Sequence, residues 1–193
     1  VFRLFRKRSL PPLGPLFSFS PHTYLTLPHR LFSLHISLHI RDHQMTKFSA
    51  NLGFLWADLP LPDAIHAAHG AGFDAVECHW PFETDTALIN TALSETGLRM
   101  LGLNTTRGNH LSGDNGLSAL PARNAEARSA IDQAINYAAA VNCANIHVMA
   151  GFAAGAKAHD TFVANLSYAC TSAAQHNITI LVEPLNSYDA PDY

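Results

Sequence analysis

The sequence predicts a parallel α/β fold, and three observations predict it. From Lys47 onward, five short β-favouring runs alternate with four longer helical patterns. The last run, residues 178–182, holds five β-favouring residues in a row, which suits a strand covered on both faces as in a parallel sheet. That run leads straight into Glu183, and Pro184 then bars the strand from continuing. A carboxylate is thereby placed at the carboxyl edge of a strand, where α/β barrels and doubly wound sheets keep their chemistry.

The elements follow in order. Residues 48–52 read as the first strand. Asp58 is placed as the N-cap, with Pro60 in the first turn, of a helix reaching about Ala71, where Gly70 and Gly72 stop it. Residues 75–79 make the second strand, ended by Pro81, and Asp85 caps a helix to about Thr96 with Gly97 as its stop. Residues 99–104 are the third strand. A polar loop over 105–120 follows, in which 108–116 is either a water-excluding lid or a long surface loop. Pro121 or Arg123 opens the clearest helix, with Ala127, Ala130, Ile131, Ala134, Ile135, Ala138 and Val141 on one face. Residues 145–149 form the fourth strand, and a helix over 159–175 buries Phe162, Val163, Leu166, Ala169 and Ala173. A (β/α)8 barrel and a flavodoxin-like sheet share this rhythm. Neither Gly-x-Gly-x-x-Gly nor a phosphate-binding Gly-x-x-x-x-Gly-Lys-Ser/Thr follows a strand, which weakens a nucleotide-binding sheet. As a TIM barrel the chain is expected to hold about the first five βα units, with strands one and five exposing their pairing edges and the isolated chain self-associating.

Composition bounds the function. Charged residues at 14% and hydrophobic residues at 48% suit an ordinary globular domain. Cys78, Cys143 and Cys170 are widely spaced, with no Cys-x-x-Cys, which argues against a disulfide framework or zinc ribbon and for a reducing, cytoplasmic setting. No apolar run approaches 18 residues, so no membrane span is expected. The charge is divided sharply. Residues 1–44 hold six Lys/Arg and one acid, Asp42; residues 45–193 hold six Lys/Arg against fourteen acids, a net of −8.

Residues 1–44 are therefore read as an irregular basic extension outside the fold, and 45–193 as the folded domain. Prolines at 11, 12, 15, 21 and 28 interrupt any helix in the extension. Three readings compete for it: sequence upstream of a true start at Met45, a transit peptide, or a basic arm for nucleic acid or anionic lipid. The first is favoured because Met45 leads directly into the first strand. The pair His35 and His39 has helical zinc spacing but no acidic or Cys ligand nearby, and is read as chance.

Four stretches carry a resemblance. Residues 48–52 (Phe-Ser-Ala-Asn-Leu), 72–77 (Gly-Phe-Asp-Ala-Val-Glu), 145–151 (Asn-Ile-His-Val-Met-Ala-Gly) and 181–186 (Leu-Val-Glu-Pro-Leu-Asn) resemble the hydroxypyruvate isomerase family among the xylose isomerase-like TIM barrels. The resemblance covers about 47–193. It implies an aldose–ketose isomerisation, hydroxypyruvate to tartronate semialdehyde, assisted by a divalent metal, Mg or Mn. Glu183 matches the family's first catalytic glutamate, which is also a metal ligand, whereas the second glutamate and the other ligands belong to strands six to eight. The loop after strand three departs from the family's apolar-Pro-Ala-Gly run, keeping Asn104.

The chemistry explains the residue types. Moving a carbonyl along a small hydroxyacid needs a base for a weakly acidic C–H and stabilisation of the resulting enediolate. Glu183 suits the base and, as a hard oxygen donor, a Mg²⁺ or Mn²⁺ ligand. Glu77, at the end of strand two, is a substrate-side or structural carboxylate. His147, inside strand four, touches substrate or is a hydrogen-bonded interior His. Asn104 orients a hydroxyl or merely ends a strand. Arg107 anchors a substrate carboxylate through its two-pronged guanidinium or lies solvated in its loop. Trp56 and Trp80 wall the pocket or pack the core, and His66 and His69 face solvent. Cys78 is discounted as a nucleophile paired with His79, because adjacent strand residues point to opposite faces. The expected partner is a small hydroxy-acid, oxo-acid or sugar, with no nucleic acid and no membrane, and a homo-oligomer is possible for a full-length protein. Competing readings are another isomerase or epimerase on the same scaffold, a metal-dependent abasic-site endonuclease, which the −8 charge opposes, and an inactive fragment.

Overall fold

Apolar residues spaced two apart on short strands decide the architecture, because each sends one strand face into a shared core. The computed structural model describes residues 46–186, 188 and 190; the readings made on 1–45, including His35, His39 and Met45, lie outside the described residues. Lys47–Tyr193 form one unit. Its strands are β1 (Ser49–Asn51), β2 (Ala75–Glu77), β3 (Leu103–Asn104), β4 (Asn145–His147) and β5 (Thr179–Leu181). Alternating with them are α1 (Leu61–Gly70), α2 (Thr86–Thr96), α3 (Asn124–Ala140) and α4 (Ala156–Ala174).

β1 pairs with β2, β3 with β4 and β4 with β5, all in parallel. A parallel bridge between Val76 and Met100 joins β2 to the approach of β3. Strand order among the described residues therefore follows chain order. A flavodoxin-like sheet reverses its order at a switch point; this one does not, which makes it the wall of a barrel. Ala50, Val76, Leu103 and Ile146 turn to the helices and are buried to within 1% of full burial. Their chain neighbours Asn51, Glu77, Asn104 and His147 fall on the opposite, inner face.

The third strand is shorter than the expected 99–104 for a definite reason. Val76 stands opposite Met100, yet Cys78 donates to Gly102 O at 3.0 Å and Asn104 donates to His79 O at 2.8 Å. Three residues on one side thus oppose two on the other, as in a β-bulge. The bulge resets the alternation so that Asn104 faces inward. It also takes the Leu101 carbonyl out of the ladder, and the Asn145 side-chain amide donates to it instead.

Each helix buries small residues against the sheet. α1 buries Ala64, Ile65 and Ala68, and α3 buries the six alanines and isoleucines expected of it, with Val141 just beyond. Fully buried Ile65, Ile89, Ile131 and Ile146 anchor this core; truncating any one to Ala is expected to cost about 2–5 kcal/mol. Asp85 caps α2 by accepting from Ala87 N, and Gly97 ends it in the left-handed conformation, both as expected.

Four expectations are corrected. Pro60, not Asp58, occupies the N-cap of α1, because its extended backbone (ψ 141°) delays the helix to Leu61 and leaves Asp58 outside. A 3-10 turn, Pro121–Arg123, precedes α3. Val163 on α4 is half exposed, while the polar Asn165 is fully buried in the stripe with Ala158, Ala169 and Ala173. β5 is not covered on both faces: Thr179 and Val182 are exposed, and among the described residues α4 is the helix packed against β5.

Candidate active site

Period-two alternation carries polar residues to the inner face at the carboxyl ends of the strands, where no helix covers them. Five of the sequence-predicted residues lie there or in the loops that follow. Glu183 stands two residues past β5, and its Oε2 lies 3.5 Å from Nδ1 of His147 at the end of β4. The His147 side chain is buried and that of Glu183 is one-third exposed. At this separation the pair attracts strongly when the imidazole is protonated. Both residues line a cavity of about 280 Å³, together with Gly151, Ala153, His159, Phe162 and Pro184. A space of that size takes a molecule of a few carbon atoms.

Glu77, at the end of β2, accepts from Asn51 Nδ2 at 3.0 Å, and Asn51 Oδ1 accepts from Gly53 N at 2.9 Å. Its carboxylate is thereby tied to β1. Asn104 is in register with His147 on the neighbouring strand. The structure thus brings Asn104, His147 and Glu183 along one rim, with Glu77 on the same rim but engaged by Asn51.

Arg107 is not simply solvated. Its guanidinium carbon sits 4.1 Å from the centroid of the Trp80 ring, a cation–π contact. The indole N–H of Trp80 points to Met149 Sδ at 3.4 Å. Trp80 follows β2 and Met149 follows β4, so the indole reaches across the end of β3 and belongs to the rim. Trp56 instead packs on the core, edge-on to Phe73. His66 is half exposed and pairs with Glu95 at 3.2 Å.

The loop over 105–120 is a fastened strap along much of its length. Thr105 N donates to His147 O at 2.9 Å, and Thr105 Oγ1 accepts from Met149 N at 3.0 Å. Gly116 bridges antiparallel to Ala150, and Ala119 N donates to Ala150 O at 2.7 Å. Asn165 holds it from α4, donating to Ser118 O at 2.9 Å. Asp114 accepts from Arg123 Nη1 at 2.7 Å and from Asn109 N at 2.8 Å, which together hold its carboxyl below the usual range. A mobile lid over the whole of 108–116 does not fit these bonds.

Burial pushes the Cys78 thiol far up, with Cys143 and Glu77 adding to it, and burial pushes Cys143 up to about 11. Neither forms a thiolate at neutral pH, which removes the thiol-nucleophile alternative. Glu183 is a suitable hard donor, but among the described residues no group of three His, Cys, Asp or Glu is placed to hold an ion. These residues do not make a complete metal site. Sequence reasoning passed over Asn51 and Met149, and treated His79 only as a neighbour of Cys78.

A family model described as xylose isomerase-like TIM barrel matches residues 65–192. The 2-oxo-tetronate isomerase of Pectobacterium atrosepticum is 41% identical over 153 residues, covering 77% of this chain and 58% of that protein. A Mus musculus protein named "Putative hydroxypyruvate isomerase" is 40% identical over 150 residues, covering 73% of this chain and 54% of that protein. The crystal structure titled AP endonuclease, family 2 from Brucella melitensis superposes with a TM-score of 0.72 at 34% identity, over 77% of this chain and 59% of that one. The chain therefore spans little more than half the length of the curated relatives it matches. Among the described residues no helix is long and apolar enough to cross a membrane.

Proposed function

The chain belongs to the xylose isomerase-like TIM barrel family, and on that premise we propose that it carries the Glu183 side of an isomerase acting on a small oxo-acid. The single observation that carries this reading is Glu183 beside His147, at adjacent strand ends and open to a small cavity. Glu183 takes a proton from the hydroxyl-bearing carbon next to the carbonyl. The C–H electron pair forms the new C=C bond, and the carbonyl π pair moves to its oxygen, giving an enediolate. Return of the proton to the former carbonyl carbon, with the hydroxyl proton moving between the two oxygens, completes the isomerisation. His147, 3.5 Å from Glu183, supports this reading as the donor of a hydrogen bond to the developing oxyanion. Asn104 orients a substrate hydroxyl and Glu77 shapes the rim through Asn51.

Hydroxypyruvate, giving tartronate semialdehyde, is the first substrate proposed. A four-carbon 2-oxo-acid is the second, because the relative at 41% identity is named for one. A Mg or Mn ion is proposed for the full-length protein with Glu183 as one oxygen ligand, and no step above depends on it.

The test is isomerisation of both acids by this chain and by a version extended to the relatives' length, each with and without Mg²⁺ or Mn²⁺. Glu183→Gln is expected to lower kcat by about 10²–10⁴-fold with little change in KM. A Glu183→Gln enzyme as fast as the unaltered one would overturn the assignment.

A further inference from the structure

His159 lines the cavity that holds His147 and Glu183, yet the reaction just described does not use it. Among the described residues the wall carries an ionisable side chain at these three places alone; the rest of the lining is apolar or glycine. Side-chain exposure rises from 7% for His147 through 33% for Glu183 to 76% for His159. The proton-transfer pair therefore stands inside and His159 at the mouth. The backbone of His159 is fixed: Gly155 brings the chain into α4 at φ 86°, and His159 N donates to Gly155 O at 3.1 Å, closing the first turn of the helix. Nδ1 of its ring lies 3.3 Å from Asp160 Oδ1, which leaves Nε2 for an occupant of the cavity. The Asp160 carboxylate is itself 81% exposed, so water and salt screen its charge.

We propose that His159 is the specificity-determining residue that meets the substrate's carboxylate through Nε2 at the mouth of the cavity, with the reacting carbons inward. This rests on the isomerase reading and sets the direction in which the oxo-acid enters. Such a substrate brings an anion into a cavity that already holds the Glu183 carboxylate, and two carboxylates at close range oppose each other's ionisation. An anion buried without a partner is also costly, whereas at the mouth it keeps part of its hydration. His147 stands 3.5 Å from Glu183, so His159 is the remaining basic side chain of the wall. Its protonated ring donates a charge-assisted hydrogen bond to the carboxylate. A cavity of about 280 Å³ is small enough for a molecule of a few carbon atoms to reach from Glu183 to that ring. A neutral sugar of the same size lacks the anion this pole would meet.

The experiment measures binding of glycerate and of glycerol to the full chain by calorimetry, alongside the isomerase assay. Glycerate carries the carboxylate but no carbonyl, so it binds without turning over. The unaltered chain is expected to bind glycerate more tightly than glycerol. His159→Ala should weaken glycerate about three- to tenfold and leave glycerol unchanged, and His159→Lys, which keeps a cation, should recover part of the loss. In the isomerase assay His159→Ala should raise KM by the same factor with kcat nearly unchanged, the mark of binding shared by ground state and transition state. Because the side chain is largely exposed, neither variant should move the urea midpoint, which separates lost binding from lost fold. Glycerate bound no more tightly than glycerol, no measurable glycerate binding, glycerate binding unchanged in His159→Ala, or His159→Lys as weak as His159→Ala would each overturn the proposal. Glycerate binding that depends on His159 without any isomerisation would keep this pole and remove the isomerase reading. Isomerisation with KM unchanged in His159→Ala would keep the isomerase reading and remove the pole.

Discussion

Replacing Asn165 by Ala tests whether the strap is held to the barrel by one buried amide. Asn165 is fully buried on α4; it donates from Nδ2 to Ser118 O at 2.9 Å, and its Oδ1 accepts from Arg128 Nε at 3.4 Å. Ser118 is itself buried at 2% exposure, so water does not readily replace the lost donor. Leaving that carbonyl unsatisfied costs about 1–3 kcal/mol. The void left by the amide adds about 1 kcal/mol more. The sum, about 2–4 kcal/mol, is a large share of the 5–15 kcal/mol typical of a folded domain. At a urea slope of about 2 kcal/mol per molar, the unfolding midpoint should fall by roughly 1–2 M. Urea titration followed by circular dichroism reads this directly. A midpoint that moves by less than about 0.3 M at an unchanged slope would refute the view that this amide fastens the strap.

Two further predictions concern the same loop. Gly113 and Gly116 both have positive φ, at 88° and 120°, but a Cβ at Gly113 meets nothing within 4 Å whereas one at Gly116 would lie 2.5 Å from Gly151 N and 2.7 Å from Met149 O. Gly113→Ala should therefore cost only about 1 kcal/mol of backbone strain, and Gly116→Ala distinctly more than about 2 kcal/mol; equal midpoints in thermal unfolding would contradict the bridge to Ala150. The Asp114 carboxyl is held low, first by Arg123 and then by the Asn109 amide. Because its native pKa lies below the unfolded one, the unfolded chain binds that proton first; the contribution is complete above the ordinary carboxylate range and is lost as pH falls through the depressed value. The Asn109 amide resonance should shift with a midpoint below that range, and Asp114→Asn should abolish the shift.

Much of the fold was legible because local signals and tertiary packing agree. Asp85 and Gly97 bound α2, and the Ala/Ile stripe from Ala127 to Ala138 is buried as its spacing requires. The expected strand ends were too long because the sequence shows β-favouring residues without showing where a ladder is broken. Arg99 to Gly102 favour a strand, yet the bulge opposite Cys78 takes them out of regular pairing. α4 shows the converse: Asn165 is polar and was not expected in its buried stripe, since its partner Ser118 lies 47 positions away in the chain.

The sequence by itself determined the parallel α/β rhythm and the carboxylate past the fifth strand. These are local properties of alternation, caps and proline, and they need no knowledge of what lies across the molecule. Tertiary structure alone decided that the strands run in chain order as a barrel wall, that Glu183 meets His147, that Asn51 claims Glu77, and that Arg107 and His79 share one indole. Each of those depends on residues far apart in sequence being brought within a few ångströms by the register and curvature of the sheet, a choice that no single segment encodes.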